Sequence, residues 1–335
     1  MHGKTTPVPA VTIALVGVVL IGFLAGVASG VVPTSPTAAQ LVAAGASFGP
    51  RTLDGEWWRV LTAAMLHAGW AHVLLNVVTL GVVAAMLEQR VSRTSVGLAF
   101  VGAAAVGTAA GTAQAPYAVI VGASSGALGV AAALVVVAAA ASARSKRVVR
   151  PDAVAMAVGG VVIVLQLVIG LGRDDVDHAG HIAGMGTGAV IGAAAAATTV
   201  AAAAAAAAAA AVVVAVMMTS GTPYEPRRAT ARLVAIEARF DAIVDMAGGR
   251  KDMALALEEE IVAPLEALVT DARLDDGRLP RPTRERIERL RRYARARADV
   301  VKRFAQAVRD DDVAPLPEIE RASRAADAVL DGPLP

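Results

Sequence analysis

Residues 10–32 contain no charged side chain, and further apolar stretches follow at about 71–87, 95–113, 123–142 and 153–172, with another starting near 179. Runs of this length constrain a chain strongly. At about 1.5 Å per residue, each is long enough to cross a hydrocarbon core of about 30 Å. Inside that core every backbone polar group must be satisfied within the protein, which a single segment achieves only as a helix. The fold class expected is therefore an all-α polytopic membrane protein. Composition agrees: 56% of residues are hydrophobic and mean hydropathy is +0.58, above ordinary globular usage. Cysteine is absent, which excludes disulfides, thiolate chemistry and cysteine-ligated metals.

The first run follows a lone Lys4 and can be read as a signal peptide, but it is longer than a usual signal core, so a first transmembrane helix is preferred. Residues 1–9 then form a short cytoplasmic N-terminus. Arg90 and Arg93 lie between the second and third spans, and Arg144, Lys146, Arg147 and Arg150 between the fourth and fifth. The connection at 114–121 is uncharged, and Arg173-Asp174-Asp175-Val176-Asp177 is net acidic. The positive-inside rule makes the basic connections cytoplasmic and turns the others outward. In the first outer connection Trp57, Trp58 and Arg59 have the character of an interfacial anchor.

From Gly180 the chain stays apolar to Met218, including the unbroken tract Ala201–Ala211. One helix of that length would reach roughly 60 Å. Residues 199–220 are either a seventh span after a turn near Thr198-Thr199, which length favours, or an extension of the sixth helix. The second alternative is favoured by Arg227, Arg228 and Arg232, which suit a cytoplasmic tail. Residues 221–335 read as a soluble, charged helical tail, with helices expected over Arg232–Ala247, Met253–Ala272 and Pro282–Val308. The pI of about 9.2 does not indicate nucleic acid: residues 1–220 hold 10 Lys/Arg and 7 Asp/Glu, and the rest 21 and 22. The tail is charge-balanced and offers few stacking rings, so no nucleic-acid partner is expected.

Ionisable side chains in membrane segments are functional candidates, because burying them in lipid is costly. The predicted topology puts Ser124 at the outer end of the fourth span, His72 and Asn76 near the outer end of the second, and His181 near the outer end of the sixth. Four polar groups from three segments thus share one depth. His72 and Asn76 are four apart and project from one helix face. Gly180, Gly184, Gly188 and Gly192 make a smooth stripe, and Gly122 and Gly126 are expected to do the same on the fourth span, allowing backbones to approach closely. A hydroxyl at a helix start has two uses, capping N–H groups or acting as a nucleophile where the dipole steadies an anion. Zinc is disfavoured, since no His-Glu-x-x-His occurs, and no metal is expected.

The Glu-Trp-Trp-Arg stretch ending at Arg59, the spacing of His67, His72 and Asn76, the Gly122-Ala123-Ser124 motif and the Gly-His-Ile-Ala-Gly of 180–184 together resemble the rhomboid family of intramembrane serine proteases. The resemblance covers about residues 10–198 and leaves out 223–335. It implies a rhomboid-like six-helix bundle, with the 199–220 segment as a possible seventh span. It also implies a serine endopeptidase without cofactor, cutting transmembrane protein substrates within the lipid bilayer, in what composition suggests is a bacterial cell membrane. Ser124 would be the nucleophile and His181 the general base. His72 and Asn76 would stabilise the oxyanion with the Ser124 N–H. His67 would tie the outer loop to the helix below, Arg59 would shape that loop, and Glu88 matches a family position near the inner end of the second span. Two residues depart from the family pattern: Ser125 stands where glycine usually follows the nucleophile, and Leu128 where an aromatic usually lies beneath the histidine. The alternative reading is a catalytically inactive rhomboid-like protein that binds or escorts membrane clients. A transporter is disfavoured, because no charged pair lies at mid-membrane depth.

Overall fold

A computed structural model describes residues 8–173, 176–220, 226–245 and 249–330; Lys4, Asp174, Asp175 and Ala247, singled out above, lie outside them. The chain divides into two compact units, residues 1–222 and 223–335. In the first unit the long helices are α1 (Ala10–Ala28), α2 (Trp70–Glu88), α3 (Arg93–Gln114), α4 (Ser124–Ser145), α5 (Arg150–Gly170), α6 (His178–Ala195) and α7 (Thr199–Thr219). Among the described residues, six of these are long and apolar enough to cross a membrane, and α6, diluted by glycine and histidine, is the exception. The protein is an all-α, multi-pass membrane protein.

Helix α4 forms the centre. It is the most enclosed of the spans, and it packs against α2, α3, α5 and α6. The glycine stripe of α6 faces it directly: a side chain on Gly188 would overlap the Gly129 carbonyl, and one on Gly192 would lie 2.6 Å from the Ala133 Cα. The matching stripe on α4 is not the expected one. Ser125, Gly129 and Ala133 face α6, whereas Gly126 faces Phe100 of α3, and Gly122 precedes the helix with φ +119°. Helix α4 starts only at Ser124, and that start sets the register of every residue after it.

The 60-Å rod does not form. Helix α6 ends at Ala195, and Thr198 restarts the chain as the N-cap of α7, its hydroxyl accepting the Ala201 N–H at 3.0 Å. Alanine then suits α7 to its place: Ala202, Ala205 and Ala206 pack into the bundle core, where larger side chains would hold the helix away.

At the inner end, Glu88 of α2 works as a cap for another helix. It accepts the Val11 and Thr12 N–H groups at 3.2 and 3.0 Å and the Thr12 hydroxyl at 2.8 Å, with Arg93 3.3 Å away. Those N–H groups sit in the first turn of α1, where no intrahelical acceptor exists.

At the outer end, residues 29–69 fold into a compact loop with short helices Ala38–Ala44, Gly49–Thr52 and Arg59–Thr62. Arg59, almost fully buried, organises it: the guanidinium donates to the Val42 and Ala46 carbonyls at 2.7 and 2.9 Å and to Glu56 at 2.5 Å, and stacks on Trp58. Trp57, Trp58 and Trp70 remain about half exposed, as interfacial rings do.

The second unit contains α8 (Pro226–Val244), α9 (Arg250–Leu257), a π turn (Glu258–Val262), α10 (Ala263–Val269), α11 (Arg281–Asp310) and α12 (Leu316–Asp327). The π turn falls just before Pro264, which cannot donate to a helical carbonyl. The first tail helix begins six residues earlier than the sequence suggested, and α12 was not expected. Glu237 joins α8 to α11, accepting the Tyr293 hydroxyl at 2.8 Å and Arg297 at 2.9 Å.

Candidate active site

The chain that leads into α4 is held by backbone contacts before any side chain is considered. Ser47–Phe48 (β1) and Val119–Ile120 (β2) pair antiparallel, with Ser47 opposite Ile120. The Gly49 N–H donates to the Pro116 carbonyl at 2.8 Å, and the Gly122 N–H to Ala63 at 2.9 Å. Behind the pair, Ser47 bonds Thr112 of α3 at 2.7 Å and Thr52 at 3.0 Å, so these buried hydroxyls satisfy one another. His67 completes the attachment, its Nε2 accepting the Ala123 N–H at 3.3 Å.

Fixed in this way, Ser124 occupies the first position of α4. Its Oγ lies 2.8 Å from Nε2 of His181, on the first turn of α6. The two residues are 57 apart in sequence, and the close α4–α6 approach brings them together. His181 is buried, while Ser124 is partly open. Among the described residues no carboxylate bonds the His181 imidazole and no aromatic ring stacks on it; Leu128 is fully buried in the bundle.

Ser125 has a different environment. Its side chain points between α3 and α6, where a Cβ on Gly107 would meet the Ser125 Cβ at 2.5 Å and its Oγ at 2.8 Å. Gly107 leaves the space that the extra hydroxymethyl group fills. Neither serine caps α4. The N-cap is Ala123, without a side-chain hydrogen bond, so the N–H groups of Ser124, Ser125 and Gly126 have no capping side chain. Capping, one of the two uses expected of a hydroxyl at a helix start, is performed by neither serine.

Beside this helix start stands His72. The Ala68 N–H donates to its Nδ1 at 3.3 Å, which leaves Nε2 to carry the ring proton. A Cβ on Gly122 would sit 2.9 Å from that Nε2, so glycine keeps open the space between His72 and Ser124. Asn76 is buried one turn on. Its Nδ2 donates one hydrogen to the His72 carbonyl at 2.9 Å, and among the described residues no acceptor takes its second N–H. His67 and His72 meet edge to face at 5.0 Å. The Ala68–His72 and Ala63–Gly122 bonds were invisible in the sequence, because they depend on a loop conformation and not on residue type.

Comparison with known proteins gives one family. Residues 54–198 match the rhomboid domain. The chain is 30% identical over 145 residues to the rhomboid protease GluP of Bacillus subtilis (strain 168), an alignment covering 43% of this chain and 27% of that protein. It is 29% identical over 160 residues to rhomboid-like protease 3 of Toxoplasma gondii, covering 47% of this chain and 58% of that one. A third relative, the putative rhomboid protease YdcA of B. subtilis, is 35% identical over 54 residues, covering 16% and 27%. The chain thus spans from about a quarter to somewhat over half of the length of these relatives. The similarity to the rhomboid family lies in residues 54–198.

Proposed function

We propose that this protein is a rhomboid-family intramembrane serine endopeptidase that cleaves transmembrane segments of other membrane proteins, in a bacterial cell membrane, with Ser124 and His181 as a dyad. The observation that carries the reading is the 2.8 Å bond between Ser124 Oγ and His181 Nε2, set at an uncapped helix N-terminus.

The chemistry follows from that arrangement. His181 Nε2 takes the proton as Ser124 Oγ attacks the scissile carbonyl. The carbonyl oxygen becomes an anion near the start of α4, where the Ser124 N–H, the His72 Nε2–H and the uncommitted N–H of Asn76 are available as donors. Such donors are often the largest single catalytic contribution. The imidazolium then gives its proton to the departing amine nitrogen. Water attacks the acyl-enzyme, His181 accepts a proton again, and Ser124 is released with its hydrogen. No aspartate orients the histidine as in soluble triads; the short bond to Ser124 and the tight α4–α6 contact hold the ring instead. No cofactor enters the scheme.

Purified protein in detergent should cleave an unstable transmembrane substrate. Ser124→Ala should abolish cleavage, and Ser125→Ala should retain it. Equal loss in both variants, or full activity in Ser124→Ala, would refute the proposal and favour a client-binding role.

A further inference from the structure

The end at which α7 leaves the bundle has a consequence for everything after it. At its start, Thr199 Oγ1 donates to the hydroxyl of Ser92, the N-cap of α3, at 3.1 Å. Arg90 and Arg93 flank that point, on the side of the basic connections. At its finish, Met217 is buried with Leu53 and Val60 of the outer loop and Ala109 from the far half of α3, and Val213 and Val216 pack against the same group. Between these ends Ala202, Ala205 and Ala206 pack into the core and Ala209 approaches Gly102. The helix is therefore anchored at both faces and runs alongside α3 in the same direction.

We infer that α7 is a seventh crossing, so that residues 223–335 lie in the compartment onto which Ser124 and His181 open, and not with the basic loops. Compartment is set by the exit point of the chain, and no contact between the two units is needed for it.

The opposing signal is the group Arg227, Arg228 and Arg232. The positive-inside bias acts through short loops, and long domains cross largely regardless of charge. Residues 221–335 hold 21 basic and 22 acidic side chains. Arg232 is ion-paired within the folded unit to Asp271 at 3.0 Å, a carboxylate it shares with Arg273. The basic cluster Arg144–Arg150 sits in a short connection, where the bias is strong. The partners open to the tail are then those of the outer compartment, including the extramembrane parts of any membrane protein that reaches the dyad.

The absence of cysteine makes the test clean, since a single introduced thiol has no background. Four variants of the full chain suffice, each at an exposed position: Ser35→Cys in the outer loop, Val148→Cys in the basic connection, and Val234→Cys and Val313→Cys in the tail. In intact cells a membrane-impermeant maleimide should label both tail variants to the extent of Ser35→Cys, and about tenfold more than Val148→Cys, with all four equal after lysis. Tail thiols protected until lysis, in step with Val148→Cys, would overturn the inference. Equal labelling of Ser35→Cys and Val148→Cys in intact cells would overturn it as well, because the crossing order would then be wrong. Neither readout depends on proteolysis, so its failure is distinct from failure of the proposed activity.

Discussion

Replacing Gly184 by alanine tests whether the close approach of α4 and α6 is what aligns the proposed dyad. A Cβ at this position would lie 2.5 Å from the Ser125 carbonyl oxygen and 3.1 Å from the Ser125 Cα. Both obstacles are backbone, so no rotamer change relieves them. Ordinary C···O contacts begin at about 3.3 Å, so the helices must part by roughly 0.8 Å at this level. The level is one turn from His181 and next to Ser124, and most of the displacement therefore appears in the 2.8 Å Ser124–His181 bond. A misplacement near 1 Å costs up to about 100-fold in rate, and overpacking costs about 1–3 kcal/mol in stability. Gly186→Ala is the matched control: it lies on the same helix, gains the same intrinsic propensity, and its Cβ meets nothing within 4 Å. Cleavage of a transmembrane substrate and the rate of labelling by a serine-reactive fluorophosphonate should fall together in Gly184→Ala, by about 10- to 100-fold. Both should be unchanged in Gly186→Ala. Activity of Gly184→Ala within twofold of the parent would show that the stripe does not set the dyad.

His72→Ala should lower kcat by about 100- to 1000-fold, the usual cost of removing an oxyanion donor, while thermal unfolding in detergent stays near that of the parent; unchanged kcat would remove His72 from the site. Arg59→Ala leaves two loop carbonyls and Glu56 without their buried donor, and should cost roughly 3 kcal/mol in an unfolding assay. The Glu56 carboxyl supplies a pH signature. Burial raises its pKa, but the hydrogen bonds and charges of Arg59 and Arg51 outweigh this and hold it below the ordinary carboxylate value. The group is thus deprotonated more readily folded than unfolded. Its contribution is complete above the unfolded pKa and is lost as pH falls through the depressed folded value. Glu56→Gln should flatten that acid limb of the stability profile; an identical limb would place the titration elsewhere.

The crossings were legible because hydropathy and loop charge are direct consequences of lipid as solvent, and α2 through α5 lie within a few residues of their expected bounds. Glu88, His67 and Arg59 could be named from the family resemblance, but which carbonyls and N–H groups they hold depends on loop geometry. The register of α4 was not legible. It depends on the pairing of Ser47 with Ile120 and on the Gly122–Ala63 bond, which join segments some 60 to 70 residues apart, and an error of one position turns Gly126 toward the wrong neighbour. The break between α6 and α7 was legible from length, which favoured a turn near Thr198-Thr199 although the alanine tract has no periodic pattern, and the Thr198 cap marks the restart at that place. In the tail, Pro315 and Pro317 obscure α12, although a proline in the first turn is compatible with a helix.

The Ser124–His181 bond also bears on synthesis. The segment leading into Ser124 is hydrogen-bonded to residues that precede it, back to Ser47, whereas His181 is made 57 residues afterwards. At about 5–20 residues per second, a ribosome reaches His181 roughly 3–11 s after Ser124. During that interval the emerging chain has Ser124 without His181 and a face of α4 without its glycine partner, and on the proposed mechanism it should be inert toward its neighbours in the translocon. Arrested nascent chains ending before residue 181 should accordingly fail to react with a serine probe, with reactivity appearing once α6 has joined the bundle. On the proposed mechanism the order of the helices acts as a timer, and the hydroxyl meets its base only after α4 and α5 have been made, with 154 residues still to follow.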